Sequence, residues 1–412
     1  MTADTNWAGN VRYRARRTVE PTSIDELSSV IRDSSQLRVL GTRHSFNHIA
    51  DTDGIHLSLR ALGGAPELDD ATGVVRVPAA LRYGDLAPWL HERGRALANL
   101  ASLPHISVGG AIATGTHGSG ARVGSLATQV SAVEFVDGTG ALVRRQRGDD
   151  GFDGAVVSLG ALGAVVWVEL DTVSAEPYGQ TVHEGAHWDD VLAGFDELQA
   201  AGDSVSLFTT WRSVEVIDQI WVKSRGAAPD LARFGASPAD GPRHPLPGID
   251  PAPATEQGHV PGPWFERLPH FRLAFTPSAG DELQSEYLVP RADLLDAIAA
   301  VRDLAPRIAP VLLVSEVRTI AADRLWLSAA YETDAVGIHF TWRRDDAAVG
   351  ALLPDLEAAL PGTARPHWGK LFALGGSALT DRYPRWADFA ALRAQHDPDD
   401  RFGNEWMRRL DP

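Results

Sequence analysis

The chain has 412 residues, 44% of them hydrophobic and 22% charged, with a formal net charge of −16 and no cysteine. That length is enough for two or three globular domains with real cores, and so acidic a surface repels phosphate backbones and anionic lipid, which excludes nucleic acid and membrane as expected partners. A chain without cysteine forms no disulfide, thiolate metal site, iron–sulfur cluster or cysteinyl bond to a cofactor.

Taken in chain order, Arg16-Arg17 imitates a twin-arginine export signal, but a polar Thr-Val-Glu-Pro-Thr-Ser follows where an apolar run is required. Ser23-Ile24-Asp25-Glu26 has the capping-box pattern and predicts a helix ending near Asp33. A strand runs to Leu40 and stops at Gly41, with further strands near 55–59 and 73–79 and a helix over Tyr83 to Arg93. The longest stretch without Asp, Glu, Lys or Arg, Ala96 to Ala121, holds Pro104, two histidines and five glycines, so it is no membrane helix and a cytoplasmic protein is expected. Residues 130–136 and 141–145 alternate around Asp137-Gly138-Thr139-Gly140, a hairpin signal. Helix and strand therefore alternate to about residue 175, which predicts an α+β or α/β unit.

From 176 onward the pattern changes. Strand-like runs at 205–211, 217–223, 284–289, 311–320 and 335–342 are separated by helical patches and predict an antiparallel sheet carrying helices. Ten of the 26 prolines fall between 229 and 269, among Phe234, Trp264 and Phe265, and an ordered loop across a cleft is expected there. "HEGAH" at His183 to His187 is a literal H-E-x-x-H, but zinc chemistry needs both histidines on one helical face. Here Gly185 interrupts, and the helix is expected to begin at Trp188-Asp189, so no metal is expected. The aromatic C-terminal "DPDDRFGNEWMRRL" is expected to pack back onto a domain.

Two features carry chemistry. "ASLPHISVGGAIATGTHGSGARVGSLA", residues 101–127, is dense enough in small residues for backbone to approach a ligand closely, and successive N–H groups can cradle a pyrophosphate. It is no G-x-G-x-x-G after an early strand. With the turn at Gly41 it suggests one extended phosphate-bearing cofactor. In "VLLVSEVRTI", Glu316 and Arg318 are two apart and share a strand face, as do His339 with Thr341 and Gln284 with Glu286. Lys370 stands alone among apolar neighbours in "HWGKLFAL", where a lysine ordinarily reaches out to water. His44, in a polar turn, is by its residue type alone an ordinary turn histidine.

These blocks resemble a family. "RVLGTRHSFNHIA", "ASLPHISVGGAIATGTHGSG" and "SLGALGAVV" are similar to the FAD domain of the vanillyl-alcohol-oxidase superfamily. "VPGPWFERLPHFR", "ELQSEYLVPR", "SEVRTIAAD", "HFTW", "RPHWGK" and "DP…RFGN" are similar to its alditol-oxidase branch, so the likeness spans nearly the whole chain. The resemblance implies a two-domain α+β flavoprotein, with an FAD-binding domain over 1–175 completed by 376–412 and a substrate domain over 176–375. It implies covalent FAD at His44, with Leu40, Gly41, Thr42, Arg43, Ser45, Phe46, Asn47, Ser102, Ser107, Gly110, Thr114, Gly115, Thr116, His117, Gly118, Gly163 and Val165 around the cofactor. Arg43 stands where relatives have a small residue, and its partner is open. Ser102, Glu316, Arg318, Thr341 and Lys370 are implied to line the substrate site, with Gln284 and His339 close by, and Lys370, Arg318 and Glu316 to act on the substrate. The implied activity is oxidation of the terminal primary alcohol of an alditol (xylitol, sorbitol, glycerol more weakly) to the aldose, with dioxygen reduced to hydrogen peroxide, by a monomer. An aldonolactone oxidase or dehydrogenase of the same fold is the nearest alternative. A zinc hydrolase and a carbohydrate-binding module are the readings from other classes.

Overall fold

The computed structural model describes residues 4–275 and 281–411. The first helix, Ile24–Asp33, begins where the capping pattern puts it: Ser23 Oγ accepts from the Glu26 N–H at 3.2 Å. The Glu26 carboxylate reaches past Ser23 to the Thr22 N–H and hydroxyl, so the box is closed one residue early. Leu27 and Ile31, one turn apart on the helix, bury against Leu37, Ile55, Leu57, Val136 and Phe402.

Among the described residues, the N-terminal part holds a parallel sheet of Arg17–Val19, Ile55–Leu57 and Leu37–Val39. Beside it stands a five-stranded antiparallel sheet in the order Glu67–Leu68, Val74–Pro78, Gly163–Asp171, Val130–Asp137, Leu142–Gln146. The predicted hairpin turn forms because Asp137 Oδ1 accepts from the Thr139 and Ala141 N–H groups while Gly140 takes φ +81°. The C-terminal segment does return to this part. Arg38, buried, donates to the carbonyls of Leu159, Gly160 and Phe402, and Asn404 Nδ2 donates to those of His48, Ile49 and Asp51.

The second part is an eight-stranded antiparallel sheet, counted among the described residues, in the order Ser237–Pro238, Gly179–Glu184, Gln219–Ser224, Ser204–Thr209, Leu312–Ile320, Ala335–Arg343, Glu282–Pro290, Arg365–Pro366. Its strands are buried on both faces, yet the side chains still alternate. Leu207, Val222, Val317, Ile338, Phe340 and Leu283 face one way, into a core that also holds the apolar stripes of helices Leu294–Ile308 and Asp346–Ala359. The opposite face combines a small apolar cluster of Val182, Phe208, Trp221 and Val314 with a polar patch, and there the strands meet the N-terminal part. No helix among the described residues is long and apolar enough to cross a membrane.

The glycine block forms the seam between the two parts. Sequence reading expects only a ligand-approaching loop there, but Val108–Ala113 is a short helix. Its Gly109 packs so tightly that an added Cβ would lie 2.9 Å from Ala79 Cβ. Further along, the Gly120 N–H donates to the Thr319 carbonyl at 2.8 Å, and Ser119 Oγ to that of Val205, so the same block is pinned to the larger sheet. The proline-rich stretch is ordered over its described length. It buries Trp264, and it ends with the His270 and Phe271 N–H groups donating to the Ser102 carbonyl.

Candidate active site

The polar face is built by register. Glu286, His339 and Glu316 are directly opposed on three neighbouring strands, followed by Phe208; one step along, Gly337 opposes Arg318, which opposes Ser206. Gln284, Thr341 and Val314 form the row on the other side. The two-residue spacing of Glu316 with Arg318, His339 with Thr341 and Gln284 with Glu286 therefore puts all six on one surface. Gln284 Oε1 lies 3.1 Å from His339 Nε2.

Glu286 stands at the centre, and sequence reading noted only which way it faces. Its Oε1 accepts from Arg318 Nη2 at 3.0 Å and Nε at 3.3 Å, and its Oε2 from Lys370 Nζ at 2.6 Å. His117 Nε2 also lies 3.3 Å from Oε1, a close contact without hydrogen-bond alignment. This corrects one expectation: Lys370, solitary in its own segment, has a carboxylate partner. Arg318 pairs with Glu316 at 3.5 Å and more closely with Glu286. Arg318 Nη1 also donates to Ser102 Oγ at 3.2 Å. The absent side chain of Gly337 makes room for this, because a Cβ there would lie 3.1 Å from Glu286 Oε1.

Burial alone would push both carboxyls up. For Glu286 the charges of Arg318 and Lys370 outweigh it; for Glu316 the charge of Arg318 and the hydrogen bond from His270 do, so both stay ionised, well below the usual carboxylate range. Burial lowers the Lys370 amine against the pull of Glu286, whereas Glu286 and Glu316 raise Arg318 in spite of burial. His339 and His367 are held well below the usual imidazole range, first by burial and then by Lys370, and are neutral. Two carboxylates thus face one guanidinium and one ammonium, with Lys223 one residue further back behind His270, leaving a buried, ion-paired surface dense in donors and acceptors.

The turn carrying His44 is fastened to the loop carrying Lys370. Asn47 Nδ2 donates to the carbonyls of Trp368 (2.8 Å) and Lys370 (2.7 Å), and the Phe46 N–H donates to that of Gly369 at 2.7 Å. The Asn47 amide, expected on the cofactor, is therefore spent on protein, its Oδ1 accepting from the Ile49 N–H. The His44 ring is half-buried and stacks on Trp7 with centroids 5.6 Å apart. Its Nδ1 is enclosed without a hydrogen-bond partner, and burial, followed by the His105 charge, pulls the imidazole down to about 4. Arg43 takes φ +66°, a strained conformation for a side-chain-bearing residue, and its carbonyl accepts from the Trp7 N–H.

The two glycine turns do converge. Added Cβ atoms at Gly41 and at Gly110 would each lie 3.0 Å from Ser107 Oγ, and the Ser107 N–H donates to Thr42 Oγ1 at 3.3 Å. Thr114 and Thr116 hydroxyls meet at 3.1 Å in the turn that Gly115 makes with φ +63°. A Cβ at Gly118 would be 2.2 Å from the Leu100 carbonyl. Leu40 closes the strand with its N–H on the Leu57 carbonyl, and Ser45 Oγ lies beside Gly369. Gly163 and Val165 lie in the Gly163–Asp171 strand, and packing accounts for that glycine: its Cβ would fall 2.4 Å from the Val136 carbonyl. His183 ends a strand and His187 precedes the helix Trp188–Ala193, so the H-E-x-x-H histidines do not share a helical face. Sequence reading missed Lys223 and His270, buried beside Glu316; the signal available was a lysine inside an otherwise apolar strand, "QIWVKS".

An unpartnered, neutral, enclosed histidine nitrogen beside two glycine turns fits a covalently held flavin nucleotide. Comparison with known proteins supports the cofactor. Residues 15–146 match the family described as FAD binding domain, and residues 281–410 match that described as D-arabinono-1,4-lactone oxidase. An alditol oxidase of Streptomyces sp. (strain IKD472 / FERM P-14339) is 47% identical over 99% of both chains. An L-gulono-1,4-lactone dehydrogenase of Mycobacterium tuberculosis is 29% identical over 98% of both. Among solved structures, glucooligosaccharide oxidase from Acremonium strictum, described with a 6-S-cysteinyl, 8α-N1-histidyl FAD, superposes with a TM-score of 0.72 over 99% of this chain and 94% of its own, at 17% identity.

Proposed function

We propose a function from the premise that this chain belongs to the alditol oxidase family of FAD-dependent oxidoreductases. It oxidises the terminal primary alcohol of an alditol such as xylitol or sorbitol to the aldose, and glycerol more slowly. FAD, when bound, supplies the two-electron acceptor for the alcohol carbon and hands the electrons to dioxygen, giving hydrogen peroxide. We assign its binding to residues 1–175 and 376–412 and that of the polyol to 176–375. His44 holds the cofactor covalently through its imidazole, whose Nδ1 the protein leaves without a hydrogen-bond partner.

The observation that carries this reading is the mutual ion pairing of the buried cluster Glu286, Arg318, Glu316 and Lys370. A polyol offers alternating donors and acceptors without charge, and binds where each hydroxyl finds an ion-paired group to replace water. Arg318 and Lys370, brought side by side by Glu286, hold the reacting hydroxyl oxygen and favour loss of its proton. Glu316 accepts from the next hydroxyls, and Ser102 and Thr341 extend the hydrogen-bonding row.

The test is anaerobic mixing with xylitol in a stopped-flow spectrophotometer: flavin absorbance should bleach, and on admitting air peroxide should form. The match of 281–410 to the lactone oxidase description favours one second reading, aldonolactone oxidation. Faster flavin reduction by a gulono- or galactonolactone than by xylitol would establish that reading instead.

A further inference from the structure

We propose that Lys223 is a positioning residue for Glu316: its ammonium sets the tautomer of His270, and that ring in turn holds the Glu316 carboxylate for substrate. The inference rests on the reading that Glu316 meets the polyol.

Lys223 projects from the interior of the Gln219–Ser224 strand and is buried. Its Nζ has three acceptors around it: the Leu268 carbonyl, the Pro269 carbonyl at 3.1 Å and His270 Nδ1 at 3.0 Å. An ammonium has three N–H bonds and no lone pair, so it donates one to each, and Nδ1 must be the bare nitrogen of the ring. The ring proton then sits on Nε2, 2.9 Å from Glu316 Oε1, where it donates to the carboxylate. The other tautomer would set two lone pairs against each other at that distance and aim Nδ1–H at an ammonium. The ring is also clamped, with Phe208 and Trp221 in edge contacts at centroid distances of 5.4 and 5.5 Å.

Arg318 lies 3.5 Å from the other oxygen, Glu316 Oε2, His339 stands opposite Glu316 on the neighbouring strand, and the Lys370 charge also acts on Glu316. The hydrogen bond to Oε1 comes from His270. A lysine buried this deeply is costly, and burial brings its amine down to about 7, so the ammonium that fixes the tautomer is the form that prevails below that pH. Sheet packing needs no such charge at this position. Fixing a ring proton needs a donor that cannot also accept, and an ammonium is that donor.

Two measurements test it. In wild-type holoprotein labelled with ¹⁵N-histidine and held near pH 6, between the His270 and Lys223 values, the His270 signals, assigned by their loss in His270→Gln, should show a protonated Nε2 and an unprotonated Nδ1; a proton on Nδ1 overturns the proposal whether or not any variant folds. Second, Lys223→Met should lower the limiting rate of flavin reduction by xylitol by about tenfold, because the donor to Glu316 is no longer held. His270→Gln supplies an amide N–H whose direction does not depend on a tautomer. Adding Lys223→Met to it should therefore cost no more than about twofold. An equal loss in both backgrounds would mean that Lys223 acts by charge or packing and not through His270. Melting curves and flavin content check that each variant is folded. Glu316→Gln in the same series separates the two levels: if it reduces at the wild-type rate, the reading of Glu316 itself fails, while a slow Glu316→Gln beside an unaffected Lys223→Met fails the relay alone.

Discussion

A single imidazole separates cofactor attachment from chemistry. His44 reaches its site neutral, with Nδ1 enclosed and unpartnered, so wild-type flavin should stay with acid-precipitated protein and appear on the tryptic peptide containing His44. His44→Ala should release its flavin to the acid supernatant; release from the wild type would refute the bond. Arg318→Ala or Lys370→Ala should keep the covalent flavin but slow its reduction by on the order of 10²-fold, as expected when a charge that stabilises a developing alkoxide is removed. Glu286 touches both cations. Glu286→Ala leaves them facing each other in a buried site, and should cost about 3–5 kcal/mol of stability as well as activity, read from denaturant melts. Glu316→Gln combined with Arg318→Ala should be non-additive in reduction rate, since the two residues share a network.

At the scale of elements, the polar row depends on one strand position with no side chain. Gly337 lies between Glu286 and Arg318 on the central strand Ala335–Arg343, and a methyl group there would meet Glu286 Oε1 at 3.1 Å and His117 Cε1 at 3.5 Å. The carboxylate can yield only by leaving Arg318 or Lys370. Gly337→Ala should therefore lower flavin reduction by about tenfold while stability changes by only about 1 kcal/mol. The pair of measurements matters: a large drop in melting temperature with normal reduction would place the strain in the sheet. The same logic explains the seam. Gly109 against Ala79, and Gly120 against Thr319, let one segment join two sheets without intervening side chains.

For the whole molecule, burial of neutral histidines gives acid sensitivity a definite window. Burial, ahead of the Lys223 charge, pulls His270 down to about 4, and His339 and His367 are likewise depressed, each by burial first. A group depressed in the fold stabilises above its unfolded value and loses that contribution as pH falls toward the folded one. Unfolded histidine titrates near 6.5. The melting temperature of the holoprotein should accordingly begin to drop below about pH 6.5, ahead of the further loss as Glu286 and Glu316, depressed from 4.5, are forced to protonate. His44 is left out of this sum because the proposed bond to the cofactor would change its titration. A melting temperature flat from pH 7 to 5 would contradict the sign.

The sequence by itself determined what short-range physics controls. The helix start at Ser23, the Asp137–Gly140 turn and the two-residue alternation of the long strands each depend on neighbours within a few positions, and each forms where the pattern puts it, although Glu26 closes its half of the capping box on Thr22. The alternation also determined that Glu316, Arg318, His339, Thr341, Gln284 and Glu286 share a face, and the motif blocks determined the family. Only the tertiary structure decided who pairs with whom. Strand order in the larger sheet does not follow chain order, so a periodicity that settles the face of a residue says nothing of the strand beside it. Glu286 and Lys370 are 84 positions apart, Lys223 and His270 47, Asn47 and Lys370 323. A charge reads as solvated until the fold closes over it, and buried charge is tolerated only where distant partners arrive together.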